Sequence, residues 1–536
     1  MVLKDYDLRQ LNEERIRELR VKDPDALAQL SVRLLNDLKE ARERLHQNPS
    51  NSSRPPSSRP AWSSSEDDEE DTQGAPEAEE EDGEELRAAA PTDAPSDSDA
   101  EANAKRSAKP CKSDGSSTRR KPGRQPGAPG FGRTQKLTVT DWEAHRPSTC
   151  ALCAAALDPA QAVAYTAFDT VDLVFGDTQA PGLRLTCTRH TYYQTPCGCG
   201  HHTRATPHRA PEDEGHWRGV GLSEWRLAGP GLCAFIVWLR FRMRVSLRLI
   251  REFLDEVFGL SLSVGAIHSG VMEAARACEP LEEPLIAQLL AARLMHADET
   301  PHKEWGKALW LWVFVSASTV LFLIGYRNKE MVQNLIREVF FGYLMSDGYQ
   351  AYRHYRRRLR CWAHLLRKAR ALKECFSPTP QRYGRAVHAI LQALMQAVYR
   401  ARQGPPASIR AEHERTLRRL DLLCQRMRRS SHEKTRALGP EFLNDWKAIF
   451  RVLDEPWLPL TNNEAEQMLR HWVILRRITQ GTRSEQGSRA LALLASVLET
   501  CRRRAASPLR YMKELIARRR QGLDPPELPP IPAALA

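Results

Sequence analysis

The stretch Ala308–Tyr326 carries no charged residue across 19 positions and is crowded with Trp, Val, Phe, Leu and Ile. That length is close to a membrane helix. However, Ser316-Ala317-Ser318-Thr319 interrupts it, and β-branched and aromatic residues dominate, so the pattern predicts a buried β-hairpin. Two short apolar runs flank it, each ending in an aspartate: Leu-Met-His-Ala-Asp-Glu-Thr (294–300) and Tyr-Leu-Met-Ser-Asp-Gly-Tyr-Gln-Ala-Tyr (343–352). Together these segments predict three or four adjacent strands with Asp298 and Asp347 at two strand ends. Side chains alternate along a strand, so Leu294, His296, Asp298 and Thr300 share one face, and Met345 shares a face with Asp347. Two carboxylates can then meet at one rim of a sheet. Neighbouring carboxylates repel, and the usual reason to gather them is a hard cation such as Mg²⁺, held by oxygen ligands with positions left for phosphate and water. Aspartate is also a common turn residue, and either one alone could simply end a strand.

A third carboxylate comes from Thr-Asn-Asn-Glu-Ala-Glu-Gln-Met-Leu-Arg (461–470). Thr461, Asn462 and Asn463 are N-cap residue types ahead of a helix-forming segment, which puts the acids in its first turns. Glu464 and Glu466 are two apart and point to nearly opposite faces, so only one can face the aspartates. Asn462, Glu466 and Arg470 recur every four residues, and one face can carry a metal-binding carboxylate beside a cation suited to phosphate.

His-Ala-Asp-Glu-Thr, Ser-Asp-Gly-Tyr-Gln-Ala-Tyr, Cys-Trp-Ala-His (361–364) and Asn-Asn-x-x-Glu-x-x-x-Arg occur in an order and spacing that resemble the bacterial insertion sequence 66 family of transposases. The resemblance runs from the Asn-Ser-Ser-Arg-Pro-Pro-Ser-Ser segment (51–58) to about Cys501. It implies an α/β fold, an RNase H-like mixed-sheet catalytic core with a helical insertion, and an Asp-Asp-Glu triad of Asp298, Asp347 and Glu466. This chain has Thr461 where the family usually has Asp, and Gln467 where it usually has Arg. The implied cofactors are two Mg²⁺ (or Mn²⁺) ions between the three carboxylates, with Asp298 as the bridge, and the implied partner is DNA, both element ends and target. His296, Asn462, Asn463 and Arg470 are further candidates for orienting metal ligands or phosphate.

At 536 residues the chain can hold two to four domains. The net charge is +12, but its distribution says more: 66–85 is acidic, whereas 105–136, 237–251, 353–370 and 410–429 are rich in Lys and Arg. Several separate basic surfaces suit a polyanion crossing more than one region. Residues 1–47 are expected to be helical, with a possible coiled coil through Leu27, Leu34 and Ala41 and through Ser31, Leu38 and Leu45, and hence self-association on DNA. Residues 48–135, rich in Ser, Pro, Gly and charge, read as a disordered acidic then basic linker. Arg120 and Arg124, flanked by Pro and Gly, suit an arm in a minor groove.

From 136 to 210 the composition becomes globular. Cys150-x-x-Cys153 and Cys197-x-Cys199 form two knuckles that can supply tetrahedral zinc with four thiolates, and Gly198 and Gly200 permit the tight turn. Cys187, His190, His201 and His202 are alternates. The resemblance also implies one structural zinc here. Twelve cysteines without a signal peptide fit a reducing cytoplasm. Residues 211–290 read as helical: Leu247–Phe258, a Gly259 turn, and a second helix from Val264 to Ala277 that Ser263 can cap, a helix-turn-helix pattern with Arg242, Arg244, Arg248 and Arg251 alongside. The core is expected over 291–375 and 456–505, with a helical insertion over 376–455 and a tail from 506 to 536. Arg470, Arg476 and Arg477 are further phosphate candidates; the role of Cys361 and His364 stays open. The expected activity is metal-dependent cutting and joining of DNA, with element-encoded helpers possible. The rival readings are a zinc-containing DNA-binding regulator with an inert core, or a nuclease of the same fold.

Overall fold

The computed structural model of the chain describes residues 13–45, 137–176, 179, 181–206, 228–336, 339–404 and 407–533. The linker expected over 48–135, Arg120 and Arg124 included, therefore lies outside the described residues. The described residues begin with helices α1 (Glu13–Lys22) and α2 (Pro24–Leu45). They break at Asp23, whose carboxylate accepts from the Ala26 amide (2.9 Å), and Pro24 takes a first-turn position where its missing N–H costs nothing. Of the expected heptad positions, Leu34 and Leu38 are exposed on this chain.

A first sheet follows, built from β1 (Asp141–His145), β2 (Val163–Phe175), β3 (Leu183–Pro196) and β4 (His202–Arg204). Its order is β1-β3-β2, with β4 on β3; β1 runs parallel to β3 and the other pairs are antiparallel. Helices α3 (Pro230–Val237), α4 (Leu247–Phe258), α5 (Val264–Cys278) and α6 (Glu282–Leu290) come next. Ser246 caps α4, Gly259 ends it at φ 60°, and Ser263 caps α5, as the sequence predicts. The turn is that of a helical hairpin. Yet α5 is mostly enclosed: it packs among α3 and two C-terminal helices, and only Gly265, His268 and Ser269 on it are well exposed. A helix so rich in Ala, Gly and Val is suited to close packing rather than to carrying charge.

The second sheet contains β5 (Leu294–Glu304), β6 (Lys307–Val315), β7 (Val320–Gly325), β8 (Tyr343–Ser346) and β9 (Arg358–Arg360), with helix α7 (Lys329–Ile336) between β7 and β8. Its order is β7-β6-β5-β8-β9; β5, β6 and β7 are antiparallel, whereas β8 is parallel to β5 and β9 to β8. The uncharged stretch is thus a hairpin, closed by the Ser316 amide on the Thr319 carbonyl (2.8 Å). Helices α8 (Trp362–Lys373), α9 (Pro378–Arg402), α10 (Glu414–Met427) and α11 (Glu433–Phe450) then pack around an apolar core shared with Tyr343, Met345 and Leu359 of the sheet, before the chain returns through α12 (Asn463–Thr479) and α13 (Glu485–Arg503). Residues 508–520, expected to belong to a tail, instead form α14 (Pro508–Arg520), which buries Tyr511, Met512, Leu515 and Ile516 against α3 and α5. Its dense Arg and Lys mask that helical apolar stripe.

The two faces of the second sheet are chemically distinct. Leu311, Val313 and Val315 face α12 and α13, in one core with Ala465, Leu469 and Trp472, and Trp312 and Phe314 face the other way in a core with Leu335 and Tyr352. Strand pairing sets His296, Asp298 and Thr300 opposite Val315, Val313 and Leu311, so these three side chains share the face covered by α12.

Candidate active site

Each carboxylate is positioned by a different long-range device. β5 and β8 pair in parallel as Leu294↔Tyr343, Met295↔Leu344 and His296↔Met345. Carried two residues further, that register sets Asp347, just past the end of β8, beside Asp298. Asp347 accepts the Tyr349 amide (2.8 Å), which shapes the turn. Gly348 follows because a side chain there has no room: a Cβ would lie 2.8 Å from the Arg360 guanidinium. That guanidinium cannot step aside. It is buried, paired with Asp445 and with Glu441 (2.7 Å) of α11, and Arg358 reaches the same Asp445. The helical insertion therefore holds the strand end that carries Asp347.

Glu466 lies in the first turns of α12. Asn462 precedes that helix but does not cap it with its side chain, contrary to the expectation from residue type. Its amide is fully buried and donates to the Ala297 carbonyl (2.8 Å), which leaves Oδ1 to accept from His296 Nδ1 (3.2 Å). The start of α12 is thereby clamped to β5 one residue before Asp298. The two acids of α12 diverge as their spacing predicts. Glu464 turns to Arg503 (2.6 Å), whereas Glu466 is near enough to Asp298 to raise the pKa of its carboxyl. Burial is the largest cause of that rise, followed by Glu299, Asp347 and Glu466.

Glu299, adjacent in sequence, points to the other face. It is bound by Arg327 (2.8 Å) and by the Tyr352 hydroxyl (2.7 Å), so it braces β5 rather than joining the cluster. Arg327 is itself stacked on Trp310 and Tyr349. The aromatic residues of Gly-Tyr-Gln-Ala-Tyr thus support the sheet from behind.

Cys361 and His364, whose role the sequence leaves open, converge on Glu466. The ligand atoms of Cys361, His364 and Glu466 all lie within 4.8 Å of one another. Cys361, between β9 and α8, donates its amide to the Ser346 carbonyl (3.0 Å), and burial pushes its thiol up to about 11, so it stays protonated. His364 Nδ1 is 3.9 Å from Glu466 Oε1, and Arg367 is 3.8 Å from Oε2. Burial, then Arg367, lowers the His364 pKa and keeps the imidazole neutral. Both His364 Nδ1 and Glu466 Oε1 are buried without a hydrogen-bond partner. Burial and neighbouring acids together raise the Asp298 pKa, and one Glu466 oxygen lacks a hydrogen bond, so these carboxylates could take a divalent cation.

Among the arginines, Arg476 donates to Thr300 Oγ1 (3.0 Å), on the Asp298 face, while Arg470, Arg477 and Arg248 are exposed. Not all of the basic sequence is surface. Arg358 and Arg360 are spent on Asp445, Lys368 on Glu441, and Arg242 on Glu499 (2.7 Å), because each sits where an insertion or core acid needs a counter-charge. The pairing has a signal in hindsight: Arg358 and Arg360 share a strand face, and Glu441 and Asp445 share a helix face.

The four cysteines form a second cluster. Cys150 and Cys199 sulfurs are 3.7 Å apart, those of Cys153 and Cys197 are 3.6 Å apart, and all four lie within 4.8 Å. Two tight turns build it: Ala154 bonds back to Cys150 (2.9 Å), and Gly200 bonds back to Cys197 (2.9 Å) at φ +84°. The amides of Cys153 and Leu152 point at the Cys150 sulfur and hold its thiol down to about 6, as a thiolate ligand requires. Cys187 is instead buried in the apolar core, and neither His190, His201 nor His202 joins the four. The set can hold one tetrahedral zinc.

A model for the Transposase IS66 family matches residues 226–490. The uncharacterized protein y4jO of Sinorhizobium fredii is 26% identical over 176 residues, 33% of this chain and 51% of the relative, so the chain matches about half of that protein's length. No described helix is long and apolar enough to cross a membrane. The matched span contains Asp298, Asp347 and Glu466 and begins after the four cysteines. The family implies an RNase H-like core and DNA as partner. Residues 226–490 of this chain are an IS66 family transposase domain.

Proposed function

We propose that this protein cuts the ends of a mobile DNA element and joins them to target DNA, with Asp298, Asp347 and Glu466 as the catalytic carboxylates. What supports the reading is that the β5–β8 register sets Asp347 beside Asp298 and that Asp347 and Glu466, from segments far apart in sequence, both act on the buried Asp298 carboxyl, with one Glu466 oxygen buried and without a hydrogen bond. Among the described residues the ligand atoms drawn tightly around Glu466 are those of Cys361 and His364. The β7-β6-β5-β8-β9 order, antiparallel then parallel, supports the RNase H-like core that the family implies. Two divalent ions, Mg²⁺ or Mn²⁺, held by these three side chains would supply activation of the attacking oxygen and charge stabilisation on the leaving oxygen of an in-line displacement. Asp298 feels the charge of both Asp347 and Glu466 and would be the ligand that the two ions share. Asn462 and His296 hold α12 to β5 and so fix the Glu466 position; His364 and Arg367 flank the same carboxylate. Arg470, Arg476 and Arg477 are suited to backbone phosphates. In the first step a water oxygen attacks phosphorus and the DNA 3′-oxygen leaves as a hydroxyl; in the second that hydroxyl attacks a target phosphodiester and displaces another 3′-oxygen. The four-cysteine turns would hold one structural zinc, and the protein is expected to act as a homo-oligomer on DNA, with or without helper proteins.

The test is Mg²⁺- or Mn²⁺-dependent nicking and joining of DNA carrying the element's own ends. Wild type should cut, while Asp298→Ala, Asp347→Ala and Glu466→Ala should bind that DNA and lose at least about a thousandfold in cutting. A variant among the three that still cuts at the wild-type rate refutes the assignment.

A further inference from the structure

A third cluster of ligand atoms lies in the first sheet, on residues that neither the thiolate turns nor the carboxylate site uses. β1 and β3 pair in parallel with Glu143 opposite His190 and His145 opposite Tyr192. Alternation puts Glu143 and His145 on one face of β1, and the register puts His190 and Tyr192 on the same face of β3. The outcome is compact: His145 Nε2 is 3.0 Å from His190 Nδ1, and Glu143 is 3.1 Å from His190 Nδ1 and 3.9 Å from His145 Nε2. All three ligand atoms lie within 4.8 Å of one another. The His145 ring is stacked on Tyr192, with centroids 4.4 Å apart and planes 12° apart, which fixes its direction.

From this geometry we propose that Glu143, His145 and His190 form a second transition-metal site, one that takes a single Zn²⁺ or similar first-row divalent ion. Two imidazoles and one carboxylate are borderline ligands of the kind zinc prefers, and ligand atoms about 2.0–2.1 Å from an ion stand roughly 3.3 Å apart when tetrahedral. A proton serves the arrangement less well. His190 Nδ1 carries at most one hydrogen, yet both the Glu143 carboxylate and His145 Nε2 converge on it, so only one of them can accept a straight bond. A cation satisfies all three lone pairs together. The side chains are 57%, 28% and 18% exposed for Glu143, His145 and His190, so the ion can enter from solvent and keep a water ligand.

The position has a consequence for the fold. β1 is an edge strand held by five parallel pairs, and it leads toward the Cys150 turn, while β3 leads directly into the Cys197 turn. An ion on Glu143, His145 and His190 would join the same two segments from the sheet side, so the C-terminal half of β1 would be fastened to β3 both within the strand and past its end.

The experiment is zinc stoichiometry on the full chain. Elemental analysis and calorimetric titration with Zn²⁺ alone, with the Asp298→Ala/Asp347→Ala/Glu466→Ala variant run beside them to count out ions at the carboxylate site, should give two equivalents outside that site for wild type and one for His145→Ala/His190→Ala. The Cys150→Ser/Cys153→Ser variant should lose the other. Cobalt substitution supplies a fold control: the intense thiolate-to-cobalt band should be unchanged in the histidine variant, which shows that the cysteine turns still form. A wild-type chain that binds one zinc, with any second event weaker than about 0.1 mM, overturns the proposal. So does a histidine double variant that keeps two equivalents. Should that variant lose the thiolate band, wild-type stoichiometry decides alone, with Glu143→Gln expected to weaken the second event and leave the band intact.

Discussion

The four-cysteine turns and the three-carboxylate face are built in opposite ways. Each thiolate pair is made by one tight turn in which both sulfurs are within three positions of each other, and joining the two turns is the sole long-range step. No two of the carboxylates are neighbours. Asp298 and Asp347 depend on the β5–β8 register, and Glu466 depends on Asn462 clamping α12 to β5. The thiolate site should therefore fail through its own ligands and resist distant changes. The carboxylate site should be open to damage from residues that never touch DNA or metal.

The largest effect should come from the thiolates. Cys150→Ser with Cys153→Ser should remove one zinc equivalent and unfold the turns around 150–156 and 197–201, since structural zinc supplies on the order of 10 kcal/mol of apparent binding energy. Elemental analysis and proteolysis near those turns are the readouts, and protection as in wild type would break the contrast.

Next is Asp445→Ala, about 3–5 kcal/mol destabilising by denaturant melting, because it leaves Arg358 and Arg360 buried without their shared partner. Cutting should fall in parallel through Gly348 and Asp347, though Asp445 lies in the insertion helix. A stable variant with full cutting would show that the insertion does not hold the site.

A pH effect is smaller. The Asp298 carboxyl has its pKa raised in the folded chain, chiefly by burial and then by Glu299, Asp347 and Glu466. The folded state then keeps a proton that the unfolded state releases, so this group's contribution to stability declines as pH rises from about 3.9, the ordinary Asp value, through the raised folded value. Mg²⁺ should offset that loss. It should raise the melting temperature more at about pH 8 than at about pH 5, measured by calorimetry with and without the ion. An equal shift at both pH values would remove the charge argument.

The smallest effect belongs to the surface. Arg470→Ala should lower the slope of log affinity against log salt by about one while leaving cutting at low salt nearly unchanged. An unchanged slope would take Arg470 out of the DNA path.

What the sequence revealed follows the same divide. The hairpin at 308–326 and the helices around Gly259 were legible because period, turn residues and caps act within a few positions. The cysteine turns were legible for the same reason, although the exclusion of Cys187 and His190 needed the sheet register. The opposite facing of Glu464 and Glu466 was legible from helix geometry alone. Other features were not. Basic runs look alike whether solvated or buried, so the internal roles of Arg358 and Arg360 were hidden until Asp445 was seen opposite them. Asn462 reads as a cap by residue type, and only the tertiary contact with Ala297 redirects it. α14 was masked by its own arginines.

The central claim is that one particular acid of α12 completes the site. The direct measurement is Mn²⁺-dependent cutting of element-end DNA by Glu466→Gln beside Glu464→Gln, with DNA binding measured on both. The account predicts that Glu466→Gln binds and does not cut, whereas Glu464→Gln, which gives up its pairing with Arg503, cuts within a few-fold of wild type. Cutting that survives in Glu466→Gln and disappears in Glu464→Gln would contradict it.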